Sequence, residues 1–99
     1  MTYKIEYSKQ AEKDVENLFD VIVNNFKAPI TAFKYVDGLI HTINSLRKNA
    51  SIYTIVESEF VKLYGSNVKR INYKKMAIFF TIYEDVVYIH RIIPAATVN

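Results

Sequence analysis

The sequence has no cysteine, so it carries neither a disulfide framework nor a thiolate metal site, which fits a reducing cytoplasm. No apolar run approaches the roughly 18 residues of a membrane span. The opening MTYKIEYSKQ alternates polar and apolar residues and lacks the long apolar core of a signal peptide. Repeats, linkers and low-complexity segments are absent. The expectation is a cytoplasmic chain with no membrane partner.

What is present suits one globular domain spanning residues 1–99, large enough for a hydrophobic core without staples. Hydrophobic residues make up 51% of the chain, an ordinary share for such a core. The net charge is only +3, but Lys69, Arg70, Lys74 and Lys75 cluster without an intervening acid. Such a cluster suits a phosphate backbone or an acidic protein.

The pattern along the chain predicts the order β-α-α-β-β-β. Tyr3, Ile5 and Tyr7 alternate with polar residues, as in a half-buried strand. Ser8 is placed to cap a helix whose stripe is Ala11, Val15, Leu18, Ile22 and Phe26. Pro29 suits the first turn of a second helix with the stripe Ala32, Val36, Leu39, Ile43 and Leu46, widened by Phe33 and Ile40. Gly38 inside that helix implies a close approach, expected to be helix against helix. Residues 49–67 predict a packed irregular connection with a helical turn around 57–63. Ala95 to Asn99 read as a short tail.

Val68 to Ile93 reads as three strands joined by Lys74-Lys75 and Glu84-Asp85. If both corners are two-residue loops, Tyr83 faces Val86, Thr81 faces Tyr88, Phe79 faces His90 and Arg70, and Ala77 faces Ile92 and Asn72. One sheet face then carries Arg70, Asn72, Phe79, Thr81, Tyr88 and His90. The other carries Ile71, Tyr73, Met76, Ile78, Phe80, Ile82, Val87, Ile89 and Ile93, with Arg91. The aliphatic face requires the helical hairpin as its cover, giving an α+β fold on a small, largely antiparallel sheet. The polar face is the expected functional surface. Neither corner has an Asn-Gly or Asp-Gly signature, so a bulge remains open.

YKIEYSKQAEKDVENL at the start and RINYKKMAIFFTIYEDVVYIHRII at the end, around a helical hairpin, resemble the RelE/ParE superfamily of bacterial type II toxin–antitoxin toxins. The match rests on Tyr7, Ser8, Ala11 and Asp14, then Arg70, Tyr73, Ile78-Phe79, Glu84-Asp85 and Arg91-Ile92. The resemblance implies a growth inhibitor and stress-response toxin neutralised by a cognate antitoxin, with no cofactor. Its target in the family is either DNA gyrase, in the ParE-like mode, or ribosome-bound mRNA, in the RelE-like mode.

The ribonuclease branch often places an arginine where this chain has Ala77, and basic or aromatic groups where it has Pro94-Ala95-Ala96-Thr97. Both departures favour a ParE-like or unassigned target. One alternative is a metal-independent endoribonuclease, with Arg70 and His90 as catalytic residues and Asn72, Lys74, Phe79 and Tyr88 binding substrate or partner. Another is an inactive homologue that only binds antitoxin. Arg91, on the helix side, is expected to pair with a helical acid or a carbonyl, and His41 to be an ordinary helix-surface histidine. Glu57, Glu59, Glu84 and Asp85 have no metal-ligand spacing. A homodimer is compatible with all of these readings.

Overall fold

Ser8 is the hinge between the first strand and the first helix. In the computed structural model, which describes residues 2–98, β1 (Lys4–Tyr7) runs directly into α1 (Lys9–Phe26). The Ser8 hydroxyl accepts from the Ala11 amide at 2.9 Å and donates to the His90 carbonyl at 2.9 Å. It therefore caps the helix and ties its start to the last strand.

The helical hairpin continues with α2 (Pro29–Asn44), entered through Lys27 in the left-handed region at φ 48. A short α3 (Leu46–Asn49) and a 3₁₀ turn at Ala50–Ile52 follow. Leu46 thus belongs to the next helix, yet it is fully buried as its place in the stripe implies. The expected helical turn in the irregular connection is a 3₁₀ segment, Glu59–Tyr64.

The remaining strands are β2 (Lys69–Tyr73), β3 (Met76–Tyr83) and β4 (Val86–Pro94), followed by a last 3₁₀ turn at Ala95–Thr97. The sheet order is β1-β4-β3-β2, with β1 parallel to β4 and the other pairs antiparallel. Both corners are two-residue loops, with Lys74 at φ 52 and Glu84 at φ 56 supplying the positive φ that such turns require.

The predicted register holds throughout β2–β3 and from Tyr83 to Phe80 on β4, then slips. Phe80 pairs with Ile89, but Phe79 pairs with Arg91, which leaves His90 as the extra residue of a β-bulge. The expected facings of Phe79 with His90 and Ala77 with Ile92 are thereby corrected. Ala77 faces Ile93, and Ile92 turns into the helix-side core while Ile93 leaves it.

Two apolar clusters hold the sheet. The larger packs Ala11, Leu39, Ile43 and Leu46 against Ile71, Ile78, Phe80, Val87, Ile89 and Ile92. The smaller lies on the other face, where Val61 and Val68 pack with Ala77 and Phe79. Val56, Phe60 and Tyr64 lie over it from one side, and Ala95 and Val98 from the tail. The face expected to be open is therefore half closed. Asn99, the last residue of that tail, lies outside the described residues. Phe26 and Phe33 also depart from expectation, at 71% and 65% exposed. Their end of the hairpin has no sheet beneath it to bury them.

Gly38 admits a side chain from the sheet, not a neighbouring helix. A Cβ there would overlap the Tyr73 hydroxyl and stand 2.9 Å from its Cζ. Gly38→Ala gains about 1 kcal/mol in helix propensity. It nevertheless forces Tyr73 away from its edge-to-face contact with Tyr35, whose centroid is 5.2 Å off. The expected net result in thermal melts is a loss of roughly 1–2 kcal/mol. In a Tyr73→Ala background the same change becomes stabilising.

Candidate functional site

The bulge determines where the polar groups of the sheet go. His90, without a backbone partner on β3, keeps its ring on the face away from the helices. Its Nε2 shares a 2.9 Å hydrogen bond with the Thr81 hydroxyl. Tyr64 lies against the ring at 5.4 Å between centroids, and Tyr88 meets it edge-on at 4.9 Å. Burial among these groups pushes the imidazole below its usual value, so it is neutral near pH 7.

That shift has a testable consequence. The unfolded chain takes up a proton at His90 before the folded one does, so this site's stabilisation is complete above about pH 6.5. It is lost as the pH falls from there through the lower folded-state value. Denaturant titrations of wild type and His90→Gln should diverge in this window, the variant having the shallower pH dependence. Equal slopes would show that His90 is not the group responsible.

Arg70 stands on β2, two strands from His90, a separation of about 10 Å set by the spacing of neighbouring strands. Its guanidinium lies 5.7 Å from the centre of the Phe79 ring, and its Nε donates to the Asn72 Oδ1 at 2.8 Å. Phe79 fills the space between and is fully buried, with the Phe60 ring 5.7 Å away. The expected base-stacking role for Phe79 is therefore corrected, because no base can reach it. Lys74 turns toward the helix side, 5.2 Å from the Tyr35 ring and 5.5 Å from Tyr73. Tyr88 remains on the surface at 37% exposure, and His41 is exposed on α2.

These residues do not form one constellation. Cleavage of a phosphodiester needs a base and a positive charge at the same phosphate. Here the imidazole nitrogen is engaged by Thr81, and the guanidinium lies on the far side of a buried phenyl ring. Ala77, at the position where an arginine would serve such chemistry, is fully buried beside Val61 and Phe79.

The ion pair at Arg91 is structural, as its position suggested. Its Nε and Nη2 donate to the two carboxylate oxygens of Asp14 at 2.9 and 3.2 Å. The Asp14 hydrogen bonds hold the guanidinium more firmly protonated than usual. Asp14 also accepts the Ile92 amide at 2.9 Å. That amide lies past the end of β1, where β4 has no strand beside it, so the carboxylate stands in for a backbone partner. Asp14 entered the sequence reading as one residue of a pattern, and its burial on β4 was missed. The clue was an acid one turn after the buried Ala11.

Comparison with known proteins places this geometry. Residues 5–98 match the family model described as the ParE toxin of the type II toxin–antitoxin system parDE. Among solved structures, a chain of the chromosomal ParDE toxin–antitoxin system from P. aeruginosa superposes with a TM-score of 0.77. It is 18% identical, and the alignment covers 94% of this chain and 96% of that one. YafQ from E. coli strain BL21(DE3) aligns at a TM-score of 0.50 and 18% identity, over 98% of this chain and 99% of its own. No curated protein matches. Among the described residues, no helix is long and apolar enough to cross a membrane. With 94 of 99 positions inside the family model (residues 5 to 98), the chain belongs to the ParE toxin family of type II toxin–antitoxin systems.

Proposed function

We propose that the protein arrests bacterial growth without cutting RNA, in the ParE-like manner of poisoning DNA gyrase, and that a cognate antitoxin neutralises it. The observation that carries this reading is the burial of Ala77 beneath the 56–64 segment and the tail. A catalytic arginine has no place at that position, and Arg70 and His90 are kept apart by Phe79. The antitoxin is proposed by analogy with the P. aeruginosa ParDE system, a toxin–antitoxin pair of similar fold.

Inducing the chain alone in a bacterial host should stop growth, and co-expressing the small protein encoded beside it should restore growth. Arg70→Ala and His90→Ala should remain toxic if they fold. Unchanged growth on induction, with tight binding to the neighbouring protein, would leave only the inactive antitoxin-binding alternative.

A further inference from the structure

β2 is an edge strand, and the chain itself begins to cover it. Ile55 forms an antiparallel bridge with Lys69, and the Val56 amide donates to the Val68 carbonyl at 2.7 Å. The Val68 carbonyl therefore points away from β3. Because backbone groups alternate along an antiparallel strand, the N–H and C=O groups of Arg70 and Asn72 point the same way, while those of Ile71 and Tyr73 engage β3. The covering segment leaves the edge at this point, since Ala50–Ile52 coils into a 3₁₀ turn and Tyr53 packs on Phe80. Asn72 is exposed.

From this geometry we infer that the open edge at Arg70 and Asn72 accepts an extended acidic segment of a partner protein, added as a further strand. Three observations select that occupant. The edge offers alternating donors and acceptors, which another peptide backbone satisfies and a phosphate chain, made of acceptors, does not. Arg70, Lys74 and Lys75 border it with no acid between them, whereas Glu57 and Glu59 line the hollow at the Val68 end. A second copy of this chain is disfavoured by the same charges. An antiparallel β2–β2 pair would bring Lys69 and Arg70 of one copy toward Lys74 and Lys75 of the other. The inference rests on the edge and its charges, independent of what the toxin acts on.

The test uses the whole chain, ¹⁵N-labelled, and a synthetic peptide of alternating Glu and Val, with a Gln-Val peptide as control. In the free protein the Arg70 and Asn72 amides should exchange with solvent faster than those of Ile71 and Tyr73. Adding the acidic peptide should slow the Arg70 and Asn72 amides by roughly tenfold or more. Lys74→Glu/Lys75→Glu should weaken binding by roughly tenfold. Asn72→Pro removes one outward N–H and no bond to β3, so it should abolish binding while the thermal transition persists. Failure of the acidic peptide to bind overturns the inference, as does binding that leaves those two amides unprotected. Equal binding of the Gln-Val peptide, or protection of the amides through self-association, overturns the acidic-partner assignment.

Discussion

Replacing Asp14 with Ala should cost about 3 kcal/mol and lower the melting temperature by roughly 10–25 °C. The side chain of Asp14 is 7% exposed and that of Arg91 28%, so neither is freely solvated when its partner is lost. Removing the carboxylate orphans two donors on Arg91 and the Ile92 amide. The loss arises largely from groups left unpaired and less from the attraction itself. Two further variants separate these contributions. Asp14→Asn keeps an acceptor for the Ile92 amide and should lose about half as much. Adding Arg91→Met to Asp14→Ala should recover about 1–2 kcal/mol, a coupling that two independent sites would not show. Equilibrium denaturation of the four proteins is sufficient. A loss below about 0.5 kcal/mol for Asp14→Ala would mean that the pair behaves as a surface ion pair.

Ala77→Arg should be more damaging, with a loss of about 5 kcal/mol or more, a large share of any domain of this size. It introduces the side chain that a ribonuclease of this superfamily is expected to carry, at the corresponding position. Ala77 is fully buried between Asn72 and Ile93 on neighbouring strands, with Val61 and Phe79 in the same cluster. A guanidinium there has no acid to pair with in that cluster and must be dehydrated or force its way out. The expected result is an unfolded protein, or one whose 56–64 segment and tail have been displaced and have become protease-sensitive. A stable Ala77→Arg protein with its cover in place would show that this face is looser than the packing implies.

The elements with a regular period were legible in the sequence. The stripes of α1 and α2, the two charged corners and the alternation of the first strand gave their order and the helix-side face of the sheet. Three features were not legible, each for a physical reason. The bulge at His90 is set by α1, because Ser8 takes the His90 carbonyl and Asp14 takes the Ile92 amide. No residue within β4 announces it. The cover over Phe79 is a 3₁₀ segment, whose three-residue period hides an apolar face from a search for helical or strand spacing. Phe26 continues the α1 stripe perfectly, and only the position of the sheet's end decides that it stays in solvent. The candidate site suffered most from this. Arg70, Asn72, Tyr88 and His90 were found by residue type and strand parity, but one inserted residue and one covering segment determined that they do not converge.

The central claim is that this toxin's sheet face is closed to RNA. It is tested most directly by primer extension on mRNA held by translating ribosomes, with the purified protein added at concentrations that arrest growth. The account predicts intact message and no new 5′ ends. New cuts that disappear in folded Arg70→Ala and His90→Ala variants would contradict it and restore those residues to a catalytic role.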